Sequence, residues 1–543
     1  VNLSKIEGEF CPESNGKFSA AENGMIASAF PEATAAGIEM FQRGGNAIDA
    51  ACAAALSLGV CEPQSSGLGG QSSAILHFGG KTIGIDGSSR VPSLAHISRF
   101  KTGERTKGHR ATTVPTTVAV IGYLNFKYGK LEWKDIIQPA SRIASEGYRI
   151  TELQHSLQKR EQDNFLKIPS KSGAKYFLKN GTEPYNPGDL FIQPELATTL
   201  EYLAEHGPRS FYQGMIAKRI DDDMRANGGF MRADDLALMP WPIERKILKR
   251  HYRSVSIVSA PPPAAGRTLL LVMLMLRQLP VKVIRRESPQ FYHYFSETLR
   301  KAFLFRTQRP FDPNTFFQIS DKKMINREFA KQQARSIRDR IDPNLPLVDP
   351  QEEQDGETTH LSAMDSEGNA IGITQSIELS YGSRTAAEGL GFLYNNYIRA
   401  LDVNDPSHPH YLRPNATPWT SVAPSIVFYK DNPWIVMGSP GSERIYSSIA
   451  QFLTNILDKE HSMDRAVAMP RMHCSLGGKI SIEAARFDPE IISYLEGMGY
   501  QVERKSDFDF YFGAIHSVMK CLTRDGFQGA AEVRRDGTAG GLQ

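Results

Sequence analysis

The sequence predicts an α/β protein. Three observations carry that expectation: a pair of alternating segments between Thr358 and Ile377, a series of capped helical stretches ahead of them, and short apolar strands on either side. In the first alternating segment the even positions Thr358, His360 and Ser362 are polar and the odd positions Leu361 and Ala363 are apolar, the period of a half-buried strand. After the turn-rich Asp365–Asn369, Ile371, Ile373 and Ile377 share one face and Gly372, Thr374 and Ser376 the other. An odd-length loop with Gly368 left-handed pairs Ser362 with Gly372, His360 with Thr374 and Thr358 with Ser376. A loop one residue shorter sets Ile373 against Ser362 and mismatches both faces.

In chain order, residues 1–24 read as a loose arm and Met25–Ala29 as a short strand. Pro31 starts a helix that stops at Gly44-Gly45. Asn46 caps the next helix, Ala47–Gly59, with Asp49 placed for a capping box; its small residues predict burial with other backbones packed close. Gly67-Leu68-Gly69-Gly70 follows a helix and lacks a P-loop lysine, so it reads as a tight turn, not a phosphate cradle. It leads to strands Ala74–Phe78 and Thr82–Asp86, a hairpin over Gly79-Gly80. From Pro115 to about Leu347 the pattern is mainly helical, as in Thr117–Tyr128, Trp133–Glu146, Gln193–His206 and Tyr212–Asn227. Ser259–Gly266 is a rigid extended segment entering the apolar helix Thr268–Gln278. Beyond the hairpin, Gly391–Asn396 is strand-like, Ser425–Tyr429 and Pro433–Met437 form a strand pair, and the turn Gly438–Ser442 opens the helix Tyr446–Leu457.

The 543 residues, 41% hydrophobic, exceed a minimal single domain. A net charge of +3 with no long basic run interleaved with aromatics argues against nucleic acid or a membrane surface as partner. The basic stretch Arg245–Arg253 reads as a solvated strand end. Leu269–Leu276, the longest apolar run, is too short to span a bilayer. Five unpatterned cysteines form neither a zinc spacing nor a disulfide framework and favour a reduced, cytoplasmic compartment over a periplasmic or secreted one. The sequence begins at Val1, which leaves a removed signal peptide open. The oligomeric state is open too, a homo-oligomer included.

The acidic segment Asp349–Glu357 contains no large apolar residue and reads as an exposed loop. It ends at the first alternating segment, and a cut between Glu357 and Thr358 would make Thr358 an N-terminal residue. A threonine hydroxyl is a poor nucleophile without a base; a freed α-amine on the same residue, with a pKa of about 7.7–8.0, supplies one. The ordinary alternative is a linker followed by a hairpin. Among rival sites, Asp402, Asp405, His408 and His410 have metal-ligand chemistry, but Pro406 and Pro409 hold them in a loop with no regular spacing, so no metal is expected. His360 reads as a structural hydrogen-bonding residue, Cys52 as inert core, and Ser65 and Ser66 lack a hydrolase elbow.

Several separate motifs then fall in one order: Gly44-Gly45-Asn46-Ala47-Ile48-Asp49-Ala50-Ala51, Pro261-Pro262-Pro263, Thr358-Thr359-His360 with Asp365 and Gly368-Asn369-Ala370, Asn395-Asn396, and Gly438-Ser439-Pro440-Gly441. From Gly24 to Gly541 the chain resembles the γ-glutamyltransferase (γ-glutamyltranspeptidase) family of N-terminal-nucleophile hydrolases. The resemblance implies a four-layer αββα sandwich and a precursor that cleaves itself into a large chain, 1–357, and a small chain, 358–543. It implies Thr358 as nucleophile, Ser376 as the hydroxyl beside it, Gly441 and Ser442 at the oxyanion-stabilising backbone N–H groups, and Thr420 and Ser421 as a substrate-binding hydroxyl pair. The substrate is a small amide, and no cofactor is implied.

Departures from the family pattern fall in the pocket. Ser88 stands where the family's carboxylate-binding arginine is expected, with Arg90 displaced by two positions. Glu378 replaces an asparagine, Tyr397 a glutamine and Ala400 the acid that holds the substrate amine. Ser442 replaces the second oxyanion glycine, which suits only a negative φ. Arg90, Arg534 and, less readily, Arg384 are candidates for a substrate carboxylate, and Glu378 divides between a substrate role and a structural salt bridge. Two further functions compete with a self-cleaving amidohydrolase or acyltransferase: a non-catalytic scaffold binding a small carboxylate, and a stable uncut chain.

Overall fold

The computed structural model describes residues 2–8, 16–238, 241–308, 310–313, 325–337, 341–343, 345 and 356–543. Two seven-stranded antiparallel sheets form its centre. One runs, edge to edge, through Thr538–Leu542, Gly24–Ser28, Gly356–Asp365, Ala370–Leu379, Gln71–Phe78, Lys81–Gly87 and Ile243–Lys246. The other runs through Phe18–Ala21, Phe527–Ala530, His516–Lys520, Asn432–Gly438, Ser425–Tyr429, Val255–Ser259 and Leu248–Tyr252. Between them lies a thin core holding Met25, Ile75, Val258, Met364, Ile426, Val436 and Val518. The outer face of the first sheet packs on helices Pro31–Gln42, Ala47–Cys61 and Thr117–Tyr128, with Trp133–Glu146 packed on Ala47–Cys61. The outer face of the second packs on Gly266–Leu276 and Arg444–Leu457, with Pro289–Gln308 packed on Gly266–Leu276. The architecture is the αββα sandwich, and the large and small halves each contribute strands to both sheets.

Local rules explain the elements that carry the site. Asn46 accepts from the Ile48 and Asp49 N–H groups while Asp49 accepts from the Asn46 N–H, so the capping box forms. Every residue of Ala47–Cys61 is buried, which its small side chains permit. Pro31 sits at the first helical position. Gly67–Gly70 is a turn into the strand Gln71–Phe78, as its sequence suggests.

Four expectations need correction. Residues 1–24 are not wholly loose: Leu3–Glu7 is helical and Phe18–Ala21 is an edge strand paired with Phe527–Ala530. Gly356–Asp365 is not half-buried, because all ten residues are buried, polar face included. That face meets the second sheet: a β-carbon added at Gly438 would come within 2.4 Å of the His360 ring. Pro261–Ala265 makes turns, with a hydrogen bond from the Ala264 N–H to Pro261 O, and is not extended. Gly391–Asn396 makes only isolated bridges, at Leu393 and Tyr394. The acidic loop expected over 349–357 lies outside the described residues except at its end, where Gly356 and Glu357 are buried.

Candidate active site

The hairpin of Gly356–Asp365 and Ala370–Leu379 sets the site. Ser362 pairs with Gly372 and His360 with Thr374, the expected register. The expected Thr358–Ser376 pair does not form. Thr359 pairs with Gln375 but Glu357 pairs with Glu378, so a bulge falls at Thr358. The extra residue on the return strand brings a side chain under the peptide bond ahead of Thr358. Ser376 Oγ donates to the Glu357 carbonyl oxygen at 2.6 Å and accepts from the Glu378 N–H at 2.8 Å.

Side chains flanking Thr358 are held from two places, the turn between strands Phe527–Ala530 and Thr538–Leu542 and the end of a helix. The Glu357 carboxylate is paired with Arg535 at 3.1 Å, both side chains almost fully buried. Thr359 faces Glu62 at the end of helix Ala47–Cys61; burial pushes the Glu62 carboxyl up to about 8, with Thr359 and Arg535 opposing and Glu357 and Asp536 reinforcing the shift. Sequence reasoning missed Glu62 and Arg535. Only the tertiary fold brings position 62 or 535 to the hairpin.

On the opposite wall, Gly441 has φ +118° and Ser442 φ +52°. The condition set for Ser442, a negative φ, is not met: the serine keeps the left-handed backbone that a glycine would adopt freely, at a cost of roughly 1–2 kcal/mol. Its side chain lies against Gly356, where an added β-carbon would meet Ser442 Cβ at 2.9 Å. Position 356 thus has room for glycine alone. Glu378, φ +84°, is a second strained residue beside the same segment.

The remaining pocket candidates divide. Tyr397 is buried with its hydroxyl among Ser376, Gln71 and Thr420; burial and then the Glu378 charge push the phenol up. Glu378 is paired with Arg399 at 2.9 Å, and both keep partial exposure. Burial raises the Glu378 carboxyl and Arg399 opposes the shift. Ser421 Oγ accepts from Arg306 at 3.0 Å, and Thr420 offers its carbonyl to the same guanidinium, which stacks on Trp419. Burial brings Arg306 down to about 10. Arg90 donates to Thr417 Oγ1, and the Val91 N–H bonds Ala416 O, so Arg90 reaches the strand of chain that carries Thr420. The Arg90 Nε is buried without a hydrogen-bond partner among the described residues.

Arg534 is a correction. Its side chain is fully buried and ion-paired with Glu483 and Glu532, both at less than 3 Å, so it cannot receive a substrate carboxylate. Arg384 is likewise spent on buried Glu161, the structural reading. His360 is buried between Thr374 Oγ1 and Ser362 Oγ at 2.8 and 3.0 Å, and burial holds it neutral. The 402–410 string is a chain of turns in which Asp402 and Asp405 accept backbone N–H groups and His410 bonds Thr417 O. Among the described residues no group of three His, Cys, Asp or Glu side chains is placed to hold a metal ion. None of the described helices is long and apolar enough to cross a membrane.

The profile of the Gamma-glutamyltranspeptidase family matches residues 33–542. The glutathione hydrolase proenzyme of Escherichia coli K12 is 30% identical over 92% of this chain and 88% of that protein. The acylase ACY 1 proenzyme of Pseudomonas sp. SE83 is 29% identical over 97% and 95%. In structure, the cephalosporin acylase from Bacillus halodurans superposes with a TM-score of 0.88 over 99% of both chains at 24% identity, a likeness of fold.

Proposed function

The chain belongs to the gamma-glutamyltranspeptidase family of self-processing amide hydrolases and acyltransferases, and on that premise we propose that it cuts itself between Glu357 and Thr358 and then turns over small amides on the freed Thr358. The single observation that carries the proposal is Ser376 Oγ on the Glu357 carbonyl oxygen, at a bulge of the return strand opposite Thr358.

Self-cleavage begins when Thr358 Oγ attacks the Glu357 carbonyl carbon. The carbon–nitrogen bond breaks, the hydroxyl proton passes to the new α-amine, and Glu357 is left as an ester on Thr358. Water hydrolyses that ester. Ser376, donating to the carbonyl oxygen, stabilises the negative charge that develops there. In turnover the α-amine takes the Thr358 proton during attack on the substrate carbonyl and returns it to the leaving amine. The oxyanion lies at the Gly441 and Ser442 N–H groups. An acyl-enzyme forms and passes to water or an acceptor amine. Residues 1–357 and 358–543 remain together as one unit, consistent with strands from both halves in each sheet.

Relatives named glutathione hydrolase and acylase bracket the substrate between a γ-glutamyl amide and another acyl amide. Glu378, Tyr397 and Ala400 favour an acyl group without a free α-amine, because the acid that would hold that amine is absent at 400. Arg90, Thr420 and Ser421 are the proposed contacts of a substrate carboxylate. A non-catalytic scaffold is disfavoured, since the register shift opposite Thr358 seats the Ser376 hydroxyl on the carbonyl of the bond to be cut. The test is turnover of a panel of acyl and γ-glutamyl p-nitroanilides by fully cleaved protein: release of nitroaniline that Thr358→Ala abolishes supports the reading, and none across the panel overturns it.

A further inference from the structure

Three polar atoms close to the bond to be cut are buried with no hydrogen-bond partner among the described residues: Glu62 Oε2, Thr359 Oγ1 and Arg535 Nε. Buried polar atoms are ordinarily satisfied, so this cluster is incomplete in the uncut chain. It is also rich in carboxyls. Glu62 and Asp536 both feel the Arg535 charge, Lys17 lies near Asp536, and Glu32 lies near Asp536 in turn. Among the described residues, Glu357 is the carboxylate that ion-pairs with Arg535, at 3.1 Å. Asp536 instead accepts from Thr151 Oγ1 at 2.7 Å. Glu62 is left protonated at neutral pH, its carboxyl pushed up to about 8 by burial.

Glu62 and Arg535 are each anchored by contacts that do not involve Glu357. Glu62 closes helix Ala47–Cys61, and Ser65 Oγ donates to its Oε1 at 3.3 Å. The Ile377 and Tyr381 N–H groups donate to Ser65 O and Gln64 O, which ties this loop to the return strand beyond Ser376. Lys17 Nζ donates to the Arg535 and Gly537 carbonyl oxygens, and the Arg535 guanidinium carbon lies 3.8 Å from the Phe510 ring centroid. Glu357 has no such permanence. In turnover a substrate carbonyl must take the place of the Glu357 carbonyl beside Thr358 and Ser376 Oγ. When Glu357 gives way its carboxylate goes with it. Arg535 is then a buried cation without an ionised partner, a strongly unfavourable state.

We propose that Glu62 then takes over Arg535: it releases its proton to solvent, pairs with the guanidinium, and so becomes a positioning residue for the Thr358 amine. The proposal rests on self-cleavage and turnover at Thr358. The charges balance. Before the cut Arg535 is offset by one ionised carboxylate, Glu357, with Glu62 neutral; afterwards it is offset by Glu62. Thr359, whose hydroxyl faces Glu62, gains a stronger acceptor as Glu62 ionises. The exchange also sets the electrostatics at the nucleophile. A lone Arg535 disfavours a proton on the neighbouring Thr358 amine, whereas a paired one leaves the amine close to its ordinary pKa.

The experiment is infrared difference spectroscopy at neutral pH of Glu62 against Glu62→Gln, in the uncut Thr358→Ala protein and in fully cleaved protein. Glutamine mimics the neutral carboxyl that the uncut chain already holds, so the variant keeps the fold. Glu62 should absorb as a protonated carboxyl in the uncut protein and as a carboxylate in the cleaved one. The second readout is the pH profile of kcat/KM on an acyl p-nitroanilide. Its acid midpoint should move to lower pH in Glu62→Gln, and Glu62→Asp should restore part of the shift. A Glu62 signal that is protonated in both states, or ionised in both, overturns the exchange while leaving Thr358 catalysis standing. An unmoved midpoint overturns the positioning role. A native chain that stays uncut, or one that is cut elsewhere, overturns the reading of Thr358 and the exchange with it.

Discussion

Ser376 Oγ donates a 2.6 Å hydrogen bond to the carbonyl oxygen of Glu357, the residue immediately ahead of Thr358. A hydroxyl at that oxygen is placed to stabilise charge as Thr358 attacks. Ser376→Ala should therefore slow self-cleavage by about a hundredfold or more, the cost of losing one oxyanion donor. Conversion of the 60.3 kDa chain to two fragments, followed by intact mass, measures this. Cleavage at the native rate would remove Ser376 from the chemistry.

The Glu357–Arg535 pair holds the acyl side of the scissile bond. Arg535→Gln removes the cation from a buried ion pair, a change that costs up to about 3–5 kcal/mol in such pairs. The uncut Thr358→Ala protein carrying Arg535→Gln should melt at a lower temperature. In the native background the same change should slow cleavage, with Arg535→Lys recovering part of the rate. A variant with unchanged melting and cleavage would make the pair incidental.

Much of this was legible in the sequence, and the failures have physical causes. Periodicity fixed the hairpin register from Ser362 to His360 because a one-residue slip exposes a whole face. The bulge at Thr358 left no trace, since it depends on how the strand ends against Ser376 and Glu378. Arg306, Arg399, Arg535 and Glu62 reach the site from distant segments, and a lone charged residue in a helix or loop looks the same whether it faces solvent or a nucleophile. Arg534 shows the converse: adjacent to Arg535, it is wholly occupied by Glu483 and Glu532. Position 442 was judged from residue preference, yet the serine takes φ +52° because the Gly441–Arg444 turn demands it.

Glu62 gives a signature in stability. Its carboxyl titrates near 8 in the folded chain against the ordinary 4.5. Below the ordinary value folded and unfolded chains both hold the proton. Between 4.5 and about 8 the folded chain keeps a proton that the unfolded chain has lost, so this group's contribution to stability declines as pH rises, at up to about 1.4 kcal/mol per unit. Denaturant titrations of Thr358→Ala across that range should show a decline that Glu62→Gln flattens. Equal slopes in the two proteins would contradict the buried environment assigned to Glu62.

Turnover should fall on acidification as the Thr358 α-amine takes a proton, with a midpoint near its ordinary value of about 7.7–8.0. Burial holds His360 neutral and brings His516 to about 3, so neither imidazole supplies that midpoint. A kcat/KM profile flat down to strongly acid pH would exclude the amine as base.

The most direct measurement is the intact mass of the purified protein with N-terminal sequencing of its smaller fragment. Cleavage on Thr358 predicts a fragment beginning Thr358-Thr359-His360 and no cleavage in Thr358→Ala. A single uncut chain after long incubation, a fragment starting elsewhere, or a Thr358→Ala protein that still divides at this bond would contradict it.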